Sequence, residues 1–135
     1  MILVDTCVLI DVSADGADWR DWSLRQLASW SERGPLLINP IVFAEWCSDF
    51  ETHEDASTAQ ADFGLQWAEI PRTALFLASQ AHRRYRQRGG ARSMVLPDLL
   101  IGAHAAVAGI PLLTRDTRRY RSYFPKLALI TPERP

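Results

Sequence analysis

Met1-Ile2-Leu3-Val4-Asp5-Thr6-Cys7-Val8-Leu9-Ile10-Asp11 opens the chain, and its reading decides the fold. Ile2, Leu3 and Val4 are apolar in succession, with no alternation, as in a strand buried on both faces of a parallel sheet. Asp5 then arrives without a charge partner among its neighbours in sequence. An ionised carboxylate in such a setting is expensive unless something pairs with it. It would stand just beyond the carboxyl end of a strand, where ligands collect in open α/β sheets. The bland alternative is that Asp5 caps the apolar turn Val8-Leu9-Ile10 that follows. The rest of the chain weighs between the two.

Working outward, the same pattern recurs. Asp15 to Arg33 reads as a helix stopped by Gly34 and Pro35, with Trp19, Trp22 and Trp30 not all on one face. Leu36-Leu37-Ile38 is a second buried strand, and Asn39-Pro40 is a helix start with Asn as cap. In the helix that follows, Glu45 is an acid expected among core residues. Glu51 to Asp62 is polar and reads as irregular, with His53 at the surface. Pro71 to Arg88 reads as a long helix stopped by Gly89-Gly90. Pro97-Asp98 starts another helix, almost wholly apolar to Gly109, with Gly102, Ala105 and Ala106 allowing close approach to the sheet. His104 reads as packing or partner-facing. Pro111 to Thr114 is a third strand with Arg115-Asp116 at its carboxyl end, and Leu127 to Ile130 is a fourth. Strands alternating with helices imply a parallel sheet with right-handed crossovers.

Composition narrows the class. The chain has 135 residues, 47% of them hydrophobic and 23% charged, which suits one soluble domain spanning 1–135. A net charge of −1 announces no general nucleic-acid coat. The positive charge is local: Arg83, Arg84, Arg86, Arg88 and Arg92 crowd one segment, and Arg115, Arg118, Arg119 and Arg121 another. Cys7 and Cys47 are too few for a disulfide framework and read as reduced thiols. No charged leader and no apolar run of membrane-spanning length is visible, so no membrane is expected and the cytoplasm is the expected location.

Asp5, Glu45, Asp98 and Asp116 are the acids that lie outside polar segments. Two follow buried strands, two sit on apolar helices, and all could meet at one edge of the sheet. Carboxylates gathered there repel unless a cation joins them. With only oxygen donors on offer, Mg²⁺ fits, with Mn²⁺ as the other candidate, better than zinc. Such a cage suits phosphoryl chemistry. Competing designs fail on particular residues. Lys126 precedes its strand, where a phosphoacceptor domain needs a lysine near a strand end. Asp5 is followed by Thr6-Cys7 rather than by the second acid of an Asp-x-Asp phosphatase, and no Gly-rich phosphate loop is present.

The matching stretches are Leu3-Val4-Asp5-Thr6 with Leu9-Ile10-Asp11, Phe43-Ala44-Glu45, Pro97-Asp98-Leu99-Leu100-Ile101 and Leu113-Thr114-Arg115-Asp116. On these the chain resembles the PIN-domain ribonucleases, and in size and layout the VapC toxins of bacterial toxin–antitoxin pairs. The resemblance covers the chain in order. It implies a PIN-like three-layer α/β fold, with a short, mostly parallel sheet flanked by helices. It also implies metal-dependent endonucleolytic cleavage of RNA, a homodimer and a cognate antitoxin protein. Asp5, Asp98 and Asp116 would hold the metal, and Glu45 would orient or deprotonate the attacking water. Thr6 and Thr114 would support the site with hydroxyls, and Arg115 would contact the substrate backbone. The dimer surface is expected on the first helix and the long helix ending at Arg88. One departure is Cys7, where the family commonly has a hydroxyl or amide; a thiol is a poor hydrogen-bond donor. The alternative function is a binding module that kept the fold and lost catalysis.

Overall fold

A computed structural model describes residues 1–90 and 95–132. Its sheet has five parallel strands, β1 (Ile2–Val4), β2 (Leu36–Ile38), β3 (Leu65–Trp67), β4 (Leu112–Leu113) and β5 (Leu129–Ile130), in the order β3-β2-β1-β4-β5. Among the described residues seven helices cover it: α1 (Thr6–Ser13), α2 (Arg20–Ser31), α3 (Pro40–Trp46), α4 (His53–Asp62), α5 (Arg72–Gln87), α6 (Leu96–Ala108) and α7 (Arg118–Tyr123). The expected α/β fold with a short parallel sheet is the observed one.

The strand order places the site. The chain leaves β1 toward β2 and β3 on one side, then returns to build β4 and β5 on the other. The crevice between β1 and β4 is therefore the switch point, where helices depart to opposite faces and a cleft opens at the carboxyl ends. The register pairs Leu3 with Leu112 and Val4 with Leu113, and the Asp5 amide donates to the Leu113 carbonyl at 2.9 Å. Asp5 and Thr114 thus leave neighbouring strands at the same level.

Strands β1, β2 and β4 are apolar throughout because both faces are covered: Ile2, Leu3, Val4, Leu36, Ile38, Leu112 and Leu113 are all buried. Asn39 starts α3 as expected, its side-chain oxygen accepting from the Val42 amide at 2.9 Å. That bond orients the amide so that its nitrogen faces His104 Nδ1, at 3.1 Å on α6. His104 is accordingly an interior packing residue, its Nδ1 the acceptor, which ties α6 to the cap of α3. Trp46, one α-helical turn past Val42, is wholly buried, and its indole nitrogen donates to Ser13 Oγ at 2.8 Å.

Four expectations are corrected. Helix α2 begins at Arg20 rather than Asp15, because the chain turns through Gly16 at φ 76°. The polar stretch before Asp62 is not irregular: Thr52 caps α4 through an Oγ1 bond from the Asp55 amide at 3.1 Å. Ala56 is that helix's one buried side chain, so it has almost no apolar stripe to read. Strand β3 was likewise invisible in the sequence, since only Leu65 of its three residues is buried. Finally, Gly102 makes room for α7 rather than for the sheet. A Cβ there would lie 2.6 Å from the Phe124 ring and 2.9 Å from that of Tyr120.

Candidate active site

Asp5 is the centre of the site and is 5% exposed. It does cap α1, its Oδ1 accepting from the Thr6 amide at 2.8 Å. Its other oxygen does the remaining work. Oδ2 accepts from the Thr114 hydroxyl at 2.6 Å and from the Tyr120 hydroxyl at 3.0 Å. The cap thus uses one oxygen of Asp5 and leaves the other to side chains from the end of β4 and from α7. These three donors lower its pKa, but burial outweighs them, and the charge of Asp98 adds to the burial. The carboxyl is pushed up to about 6. Tyr120 reaches it because Gly102 lets α7 settle on α6. Burial, and the Asp5 charge beside it, push the phenol well above its usual range, so it stays a hydroxyl and a donor. Nothing in the spacing of the sequence marks Tyr120; the close approach at Gly102 is what brings it in.

Asp98 lies in the first turn of α6. Its pKa is raised by burial, opposed by the Arg119 guanidinium, and raised again by the Asp116 charge. Arg119 Nη1 donates to Asp98 Oδ2 in an ion pair whose partners are both about a quarter exposed. Asp116 is solvent-facing in the loop after β4. Its amide donates to Thr114 Oγ1 at 3.0 Å, and the same hydroxyl donates to Asp5. Asp5, Asp98 and Asp116 thus feel one another's charge in sequence.

Glu45 departs from expectation. It is exposed on α3 rather than set among core residues, because Val42 and Trp46 take the inward face. It still belongs to the group, for the Thr6 hydroxyl donates to Glu45 Oε1 at 2.7 Å while the Thr6 amide holds Asp5. Thr6 links Asp5 to Glu45, and Thr114 links Asp5 to Asp116. Arg115 was expected at the substrate, but its guanidinium is committed to Asp11, with bonds of 2.6 and 2.8 Å. Ser23 Oγ donates to the same carboxylate at 2.7 Å, and Trp19 lies 5.7 Å from the guanidinium carbon. The Cys7 thiol touches Asp5 and Thr114 at 3.7 and 3.6 Å and accepts from the Arg115 amide. Burial and the Asp5 charge push it up to about 11, so it stays protonated. Of the first Arg cluster, Arg92 lies outside the described residues; Arg83, Arg84, Arg86 and Arg88 are exposed.

As they stand, no three acid, histidine or cysteine side chains among the described residues converge on one ion position. The positive charge beside Asp98 is supplied by Arg119. The donor chemistry nevertheless fits a hard cation. All four groups are carboxylates, and two carry raised pKa values from burial and mutual repulsion, which an added positive charge would relieve. No helix among the described residues is long and apolar enough to cross a membrane.

The family model described as the PIN domain matches residues 2–125. No curated protein matches the chain significantly. Among solved structures, VapBC2 from Rickettsia felis bound to a promoter DNA fragment is similar, with 20% identity and TM-score 0.73, covering 98% of this chain and 100% of that one. VapBC-1 from nontypeable Haemophilus influenzae has 15% identity and TM-score 0.71, covering 97% and 98%. VapC20 from Mycobacterium tuberculosis, a toxin that cleaves the sarcin–ricin loop, has 18% identity and TM-score 0.64, covering 98% and 100%. At these identities the likeness is one of fold.

Proposed function

The chain belongs to the PIN-domain family, and from that premise we propose that it is a metal-dependent endoribonuclease, a single-domain toxin held in check by an antitoxin protein. The observation that carries this reading is the electrostatic chain Asp5–Asp98–Asp116 at the β1/β4 switch point, with Glu45 joined to it through Thr6. Asp5, Asp98 and Asp116 are the residues that would hold Mg²⁺ or Mn²⁺. When bound, the ion would activate water and neutralise charge developing on the phosphate.

The chain's own residues have separable tasks. Thr114 and Tyr120 turn Asp5 Oδ2 toward α7, and the Thr6 amide fixes Oδ1, so the carboxylate has one orientation. Glu45 is solvent-facing and would orient or deprotonate an attacking water. Arg115 acts indirectly: clamped by Asp11, it secures the loop that carries Asp116. The antitoxin and the homodimer are part of the same proposal, supported by the fold shared with VapBC assemblies. A cytoplasmic location goes with them.

The test is cleavage of a mixed pool of structured RNAs by wild type and Asp98→Asn, with Mg²⁺, with Mn²⁺ and with a chelator. Discrete products that require metal and disappear in the variant are expected. Absence of metal binding by calorimetry would sink the cage and leave a binding module.

A further inference from the structure

Beside the acids, on the far side of Arg119, lies a cavity of about 310 Å³ walled by Tyr85, Asp116, Arg118, Arg119, Ser122 and Tyr123. Its size is at the lower end of the ~300–1,000 Å³ typical of ligand clefts. Two of its walls belong to the site already described: Asp116 is one of the acids, and Arg119 is the cation on Asp98. The others have not been used. Tyr85 and Tyr123 meet nearly edge to face, ring centroids 6.3 Å apart and planes at 64°. Arg88, at the end of α5, lies 5.4 Å over the Tyr123 ring. Gly90 is packed against the Tyr85 ring so closely that a Cβ would come within 2.4 Å of it, which sets that ring in place. Both tyrosines are half-buried, whereas Arg118 and Ser122 are exposed.

Two fixed aromatic rings beside two guanidinium groups offer a mixed chemistry. A flat base can stack on a ring, while an adjoining phosphate takes the arginines, whose forked donors match its oxygens. A base can enter only if it is not already stacked in a duplex. The acids lie at one wall, so a nucleotide seated here would bring its neighbouring phosphodiester toward them.

We propose that this cavity is a nucleotide subsite. It takes one unstacked base of single-stranded RNA against Tyr123 and Tyr85 and holds the adjoining phosphate with Arg118 and Arg119. The assignment rests on the ribonuclease reading for its substrate, and it adds residues that reading does not use. Arg119 stands at the boundary between the two sites, so phosphate entering the cavity competes with Asp98 for its guanidinium.

The experiment separates the two readings by removing catalysis. Binding of a fluorescein-labelled ten-nucleotide single-stranded RNA of mixed sequence is followed by fluorescence anisotropy in EDTA. A parallel probe carries 2-aminopurine to report stacking. Tyr123→Leu is expected to bind about tenfold more weakly and to lose the 2-aminopurine quenching, while Tyr123→Phe binds as wild type does. Arg118→Gln is expected to weaken binding several-fold and to reduce its salt dependence. The fully paired duplex of the same sequence should bind more weakly than the single strand. Wild-type affinity and quenching in both Tyr123→Leu and Arg118→Gln would overturn the subsite, as would equal binding of the duplex. If Tyr123→Leu fails to fold by circular dichroism, the exposed Arg118→Gln decides alone. Failure of wild type to cleave RNA with Mg²⁺ or Mn²⁺ is read in separate reactions, and counts against the nuclease rather than the subsite.

Discussion

Two aspartates six residues apart, Asp5 and Asp11, are almost equally buried at 5% and 4% exposure. They begin and nearly end the same short helix, yet they have opposite surroundings. Asp11 is matched: a guanidinium grips both its oxygens, and a serine hydroxyl adds a third bond. Asp5 receives only neutral donors, one amide, two hydroxyls and the more distant Cys7 thiol, and burial outweighs them and lifts its pKa to about 6, with no cation to answer its charge. Burial costs a carboxylate the same desolvation in either place. What differs is whether the fold itself supplies the counter-charge. Where it does, the acid is structural; where it withholds it, the acid is left for something that arrives from outside.

The sharpest way to break this contrast is Asp5→Asn. Cleavage is expected to fall about a thousandfold or more, the loss of a metal ligand being worth several kcal/mol at the transition state. The metal-free variant should nevertheless melt above wild type at pH 7 in EDTA. The rise of the Asp5 pKa by roughly two units corresponds to a penalty of about 3 kcal/mol for keeping the group ionised, as an upper bound. An Asp5→Asn protein that is less stable than wild type would show that Asp5 is as structural as Asp11.

Asp11→Asn is the converse and second in size. It leaves Arg115 without its counter-charge in a place only 28% exposed, and is expected to cost about 2–3 kcal/mol in urea unfolding. Well below its melting temperature the variant should keep far more RNA cleavage than Asp5→Asn, since Asp11 touches none of the acids and its loss reaches them only by loosening the loop that carries Asp116.

A smaller effect comes from His104, a buried group of a third kind, neutral and hydrogen-bonded. Burial lowers its pKa below the usual 6.5. The folded protein therefore binds this proton less readily than the unfolded chain does. Its contribution to stability is complete above the unfolded pKa and is lost as pH falls below it. Between pH 7.5 and pH 5.5 Asp5, with its raised pKa, works in the opposite direction, so the check is a difference: over this range the urea midpoint of wild type should shift toward lower stability relative to that of His104→Gln.

Cys7→Ser is expected to do least, changing stability by under about 1 kcal/mol and keeping cleavage, because the thiol touches Asp5 and Thr114 only at 3.6–3.7 Å. A large gain in activity would mean that a hydroxyl at this position does more for Asp5 than contact.

Much of the site was legible because it broke local rules. Asp5, Asp98 and Asp116 each follow or open an apolar element, where an acid is conspicuous, and four of the five strands stood out as short apolar runs. Glu45 was recognised as an acid on an apolar helix but placed on the wrong side of it, since seven residues give too few turns to settle which face is inward. Helix α4 and strand β3 were missed for the reason that made the acids visible: each buries one side chain, so neither carries a pattern.

By itself, then, the sequence determined the alternation of strands and helices, the caps at Asp5 and Asn39, and which carboxylates lacked a local reason to be where they are. Those are properties of a residue and its near neighbours along the chain. Tertiary structure alone decided which guanidinium meets which acid. Arg115 is 104 residues from Asp11, and Arg119 is 21 from Asp98. Arginines one helical turn apart in sequence were thus divided between a structural clamp and the edge of the site. Pairing over such distances depends on strand order and on the close approach at Gly102, and neither is written in any local pattern.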